Sequence, residues 1–176
     1  PPAPTTFNVV SLPTGLSLRL QTDANIDLSV TKYAGVVNSR LYKSNVPLAD
    51  ISVNLTEDLN WSNVLGDSSA NLKKSFVHNL VTAPGALSSY SLYVPKSTTD
   101  NRVFICPGVS SFAAITTDCA GGFVKSVTDT GISVSNIGGS EYWKVDGLSS
   151  TGALSLFIST TIPSTDDALD NDVDGL

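Results

Sequence analysis

The feature that most constrains this chain is a period of two. Leu16-Ser17-Leu18-Arg19-Leu20 sets three leucines on one face of an extended segment and Ser17 and Arg19 on the other, because successive side chains of a strand point to opposite sides. Ile26-Asp27-Leu28-Ser29-Val30 repeats the pattern, and Thr22-Asp23-Ala24-Asn25 between them carries turn residues, so the two segments are expected to pair as a hairpin. The same alternation predicts strands over 39–43, 50–55, 74–81, 89–95, 102–106, 122–127, 132–137, 141–148 and 153–160. Breakers fall between them: Pro47, Asn60, Gly66, Pro84-Gly85, Asp100-Asn101, Pro107-Gly108, Gly121-Gly122, Gly138-Gly139 and Thr151-Gly152. Only 110–116 suggests a helical turn. Short strands separated by frequent turn signals give an all-β fold, an antiparallel β-sandwich that is immunoglobulin-like or an enlarged Greek-key. Three segments follow: a Pro-rich linker over 1–6, a sandwich domain over 7–162 and an acidic linker over 163–176.

Composition narrows the function classes. Apolar residues make up 41% of the chain, enough for a core, while charged residues are 15% against a usual value of about 25%. Hydroxyls take their place, with 25 Ser and 17 Thr among 176 residues. Five of the acids behind the net charge of −6, namely Asp166, Asp167, Asp170, Asp172 and Asp174, stand at the C-terminal end, so the body is nearly neutral. Lysines and arginines are scattered singly apart from Lys73-Lys74, which argues against a nucleic-acid partner. Apolar runs are too short for a membrane-spanning helix, and no direct membrane insertion is expected. Methionine is absent, position 1 included, so the chain reads as part of a longer product.

Residues able to carry chemistry are few. Cys106 and Cys119 in a hydroxyl-rich chain read as a disulfide formed in an oxidising compartment, the alternative being two reduced cysteines. His78 is the sole histidine, so any Ser/His/Asp or Cys/His arrangement rests on it alone. Glu57 and Glu141 are the only glutamates, and no Gly-X-Ser-X-Gly elbow occurs; an enzyme is not expected. Trp61, Trp143, Tyr90, Tyr93 and Tyr142 are candidates for a sugar-stacking platform or, more simply, for the core, with Trp61 in the loop-like Asn60-Trp61-Ser62-Asn63. Asn54-Leu55-Thr56 and Asn60-Trp61-Ser62 are N-glycosylation sequons at a frequency that chance explains.

The sharpest motif is Asp167-Ala-Leu-Asp170-Asn-Asp172-Val-Asp174-Gly175, which places carboxylates at every second position and closes on a glycine. Calcium takes six to eight oxygen ligands in a flexible cage, and Asp-X-Asp-X-Asp-Gly supplies three carboxylates around a turn. The stretch resembles the calcium-binding repeats of the thrombospondin type-3 kind, whose unit reads Asp-X-Asp-X-Asp-Gly-X-X-Asp. That likeness implies Asp170, Asp172 and Asp174 as direct calcium ligands and puts Asp167 where a preceding unit has its closing acid; the unit's final aspartate falls past Leu176. The body, through Cys106-Pro107-Gly108, the Gly121-Gly122 pair after Cys119, Tyr142-Trp143-Lys-Val-Asp-Gly147 and Ser150-Thr-Gly152, is similar to repeated sandwich domains of large bacterial or archaeal cell-surface proteins. These likenesses imply a structural or adhesive module on the cell surface, in a stalk, surface layer or adhesin, with neighbouring domains of the same chain as partners. The alternatives are a module that binds a surface glycan or protein receptor, and a filament subunit in which residues 7–12 donate a strand to a neighbour.

Overall fold

A computed structural model describes residues 9–87 and 89–159; the acidic segment and the Pro-rich lead-in lie outside them. The chain runs through β1 (Val10–Ser11), β2 (Leu16–Leu20), β3 (Gly35–Lys43), β4 (Val46–Leu55), β5 (Leu59–Asn60), β6 (Leu65–Ser69) and β7 (Lys74–His78). It continues through β8 (Tyr90–Pro95), β9 (Arg102–Pro107), β10 (Phe123–Lys125), β11 (Ile132–Ile137), β12 (Ser140–Leu148) and β13 (Thr151–Leu156). One 3₁₀ turn, Phe112–Ala114, falls inside the segment expected to be helical. The fold is an all-β sandwich. One large sheet has the order β11-β12-β8-β4-β3-β2 and a second β10-β9-β13-β7-β6, with β1 and β5 forming a separate two-stranded parallel pair; every pairing within the two large sheets is antiparallel.

The inward residues of both sheets form one core. β2 and β3 contribute Leu18 and Leu41; β4 and β8 add Ala49, Ile51, Val53, Leu92 and Val94; β9 and β12 add Val103, Ile105, Trp143 and Val145, all buried. Pro47 was expected as a breaker, yet it lies within β4. The register shifts there, pairing Leu41 with Ala49 and Tyr42 with Pro47, and Leu48 is the extra residue, fully buried. A bulge of this kind is where a strand tolerates proline. Between β11 and β12, Ile137 pairs with Ser140 across Gly138 and Gly139, both at positive φ, the two-residue turn that matches strand twist.

Ile26–Val30 is not a strand. The expected hairpin pairing holds over 26–28, where Asp27 bridges Arg19 with Leu20 N–H donating to Ile26 O and Leu28 N–H to Leu18 O; after it the Asp27 carboxylate accepts from the Ser29 N–H and hydroxyl and its carbonyl from the amides of Val30 and Thr31. These local bonds curl the chain into a turn, and the partner of β2 along its length is β3. β7 stops at His78 because Asn79 adopts a left-handed φ of 65°. β13 spans Thr151–Leu156, so residues 157–159 of the expected 153–160 are not strand.

The disulfide is present, joining Cys106 and Cys119. The loop it closes lies over the outer face of the five-stranded sheet, where Phe76, Cys106 and Ile115 are buried with Phe104, Val109, Phe112, Cys119 and Leu154 packed against them. Gly152 makes room for this cap: a Cβ there would stand 2.5 Å from Val109 Cγ2 and 2.7 Å from Ile115 Cδ1. Val10 is fully buried, and residues 9–11 are bonded within their own chain, with Val10 N–H donating to Leu28 O and the amides of Leu59 and Trp61 donating to Val9 O and Ser11 O.

Candidate functional site

One open concavity is built by a hairpin. β6 and β7 are antiparallel with Leu65 opposite His78, so the residues just before β6 and just after β7 meet at one end of the sandwich. The left-handed turn at Asn79 carries its side-chain amide to the Asn63 carbonyl at 3.0 Å. On the facing wall the Asn60 carboxamide oxygen accepts from Ser62 N–H at 2.9 Å. Trp61 ties both walls down: its backbone N–H donates to Ser11 O and its indole N–H to Pro84 O at 2.7 Å. The result is an open cleft of about 640 Å³ whose polar lining is Asn60, Ser62, Asn63, Asn79 and Thr82. No ionisable side chain lines it. Leu65 and Pro84 are its exposed apolar margin.

The aromatic residues singled out in the sequence are in or under the sheets. Trp61 is 1% exposed, and Trp143, Tyr90 and Tyr93 are equally buried, so none of these four rings offers a face for stacking on a sugar. Tyr142 and Trp143 point to opposite sides of β12, yet both are covered. Trp143 lies in the core, and Tyr142 meets Tyr93 edge to face with ring centroids 6.2 Å apart.

Two charged clusters stand apart from the cleft. On the outer face of the six-stranded sheet, Asp50 pairs with Arg40 across the ladder and accepts from its Nε at 2.6 Å and from Tyr93 Oη at 2.6 Å. That bond to Asp50 raises the Arg40 pKa further, while burial and then the Asp50 contact raise that of Tyr93. Between the sheets, Asp100 is 1% exposed at its side chain. It accepts from Lys73 Nζ at 2.7 Å, from Ser97 N–H at 3.0 Å and from Ser155 Oγ at 2.8 Å. Trp143 Nε1 donates to that same Ser155 hydroxyl at 2.8 Å. Burial opposes ionisation of Asp100, but the donors outweigh it and bring its pKa from 3.8 to about 2. Both clusters are fully partnered and bind together parts of the fold.

His78 Nδ1 stands 3.1 Å from Ser150 Oγ, the one approach of the histidine to a hydroxyl among the described residues. Among the described residues no carboxylate contacts the ring to orient it, as the serine-nucleophile arrangement requires. Glu141 meets Lys96 at 3.5 Å, and among the described residues no three His, Cys, Asp or Glu side chains gather to hold a metal ion. Asp167, Asp170, Asp172 and Asp174 lie outside the described residues.

Sequence reasoning took Asn60 only as a breaker and a chance sequon, and did not bring Asn60, Asn63 and Asn79 together as a site. The signal for them was present: Asn60 and Asn63 flank Trp61 in a turn-like stretch, and Asn79 is a residue type that tolerates positive φ. No family model, no curated protein and no solved structure matches the chain.

Proposed function

We propose that this chain is a structural or adhesive module of an extracellular cell-surface protein, continued by an acidic linker that calcium stiffens. The observation that supports it best is the disulfide-closed loop. A covalent link between Cys106 and Cys119 holds a second apolar cluster onto the outer face of a sheet, and such links persist where the environment is oxidising. The polar clusters are spent on internal bonds, as suits a module whose work is to keep its shape. The acidic segment would take calcium through Asp170, Asp172 and Asp174, with Asp167 beside them; neutralising these carboxylates converts a self-repelling stretch into a defined spacer between neighbouring domains.

The test uses native protein on intact source cells. Thiol alkylation without reductant, followed by mass spectrometry, is expected to find Cys106 and Cys119 unlabelled, and protease added outside the cells is expected to release peptides of this chain. Alkylated cysteines together with full protection from the protease would refute the reading.

A further inference from the structure

We propose that the Asn60–Pro84 cleft is a binding site for a neutral glycan. This goes beyond the spacer role and uses no residue of the acidic segment.

The lining sets the class of ligand. A site for phosphate, sulfate or a uronic acid places a cation or converging backbone N–H groups at its centre, and a site for an amine places a carboxylate there. Here the polar groups are three carboxamides and two hydroxyls, with no charge among them. Carboxamides and hydroxyls both donate and accept, which matches the hydroxyls of a neutral saccharide, each of them also a donor and an acceptor. Leu65, 47% exposed, and Pro84 at the margin offer apolar contact for the C–H face of a pyranose ring. With Trp61 sealed beneath, recognition would run through hydrogen bonds and aliphatic contact rather than ring stacking.

The cleft is also preorganised, which lowers the cost of ordering it around a ligand. Asn79 Nδ2 to Asn63 O, Ser62 N–H to Asn60 Oδ1, Trp61 Nε1 to Pro84 O and Thr82 Oγ1 to Asn79 O fix the two walls. The groups left over are those facing outward. Neither the Ser62 hydroxyl nor the Asn63 carboxamide is bonded to another described residue, and both residues are exposed. A volume of about 640 Å³ falls in the ordinary range for small-ligand sites.

The experiment is a backbone and side-chain amide NMR titration with maltotriose, cellotriose, xylotriose and chitotriose, and with a heparin-derived disaccharide as the charged control. At least one neutral trisaccharide is expected to move resonances confined to 60–65 and 79–84, with Kd of about 1 mM for so open a site. Ser62→Ala combined with Asn63→Ala, which removes two side chains that hold no part of the fold, is expected to weaken that binding about tenfold while leaving the melting temperature unchanged. Asn79→Gly tolerates the left-handed backbone and removes the third amide, and is expected to weaken binding as well. Absence of shifts in the cleft with every neutral probe, shifts located elsewhere, binding undiminished in the Ser62/Asn63 double variant, or preference for the charged disaccharide would each overturn the proposal.

Discussion

Replacing Asp100 with asparagine tests how the two sheets are tied together. The carboxylate is sealed between them and neutralised by Lys73, whose side chain is 35% exposed. It also receives Ser97 N–H and the Ser155 hydroxyl, which in turn receives the Trp143 indole. In Asp100→Asn the side chain keeps its size but can no longer serve all three donors. Lys73 turns toward water, which softens the loss, so the expected cost is about 2–4 kcal/mol. The pH dependence is the sharper readout. Asp100 has a folded pKa of about 2 against an ordinary 3.8. A depressed carboxylate stabilises the fold above its unfolded pKa and loses that contribution as pH falls toward the folded one. At about 1.4 kcal/mol per pH unit the contribution is about 2 kcal/mol, fully present above pH of about 5 and lost by about pH 2. Urea unfolding of both proteins along an acid series measures it: the stability gap between wild type and variant is expected to narrow over that window. A gap that stays constant from neutral pH to pH of about 2 would refute the reasoning, since Asp100 would then bind its proton alike in both states.

Gly152→Ala drives a methyl group into Val109 and Ile115 and is expected to cost about 1–3 kcal/mol, with proteolysis inside the 108–122 loop accelerating before the sheets unfold. Reduction of the Cys106–Cys119 bond, which spans a sequence separation of 13, is expected to lower stability by about 3 kcal/mol, read as a drop in melting temperature with reductant. Burial raises the pKa values of Tyr90, Tyr93 and Tyr142. Stability from these phenols is therefore present below their unfolded pKa of about 10 and lost as pH rises beyond it. An alkaline absorbance titration should show part of the tyrosinate signal delayed until the fold opens.

How far the sequence reveals this molecule depends on what fixes each element. Strands whose inward residues are apolar and outward residues polar, such as Leu16–Leu20 and the 50–55 stretch of β4, are legible because alternation is the physical cause of their burial. β6 was missed: Leu65-Gly-Asp-Ser-Ser69 has no apolar alternation and is held by pairing with β7. Gly66, which reads as a breaker, is there because a Cβ would stand 2.6 Å from Leu48 Cδ2. The opposite error at Ile26–Val30 came from Asp27, whose local hydrogen bonds outcompete an apolar pattern that suits a strand. The cysteine pairing was legible because only two cysteines exist. The cleft was not, since Asn63 and Asn79 become neighbours only through the register of the β6–β7 hairpin, a long-range property that no local window contains.

The same limit explains why Trp61 misleads. Flanked by asparagines and serine it has the surroundings of an exposed loop ring, yet the indole N–H finds the Pro84 carbonyl and the ring closes the end of the core. Burying an aromatic of this size stabilises the fold far more than exposing it, provided its polar edge has a partner.

Thermal unfolding of the oxidised protein in millimolar calcium and in chelator shows whether this extracellular module is continued by a calcium-ordered acidic linker. Only an ion bound preferentially to the folded state raises the melting temperature. A calcium-ordered linker gives a rise of about 5 °C in calcium, abolished by replacing Asp170, Asp172 and Asp174 with asparagine. Superimposable curves in calcium and in chelator would contradict it.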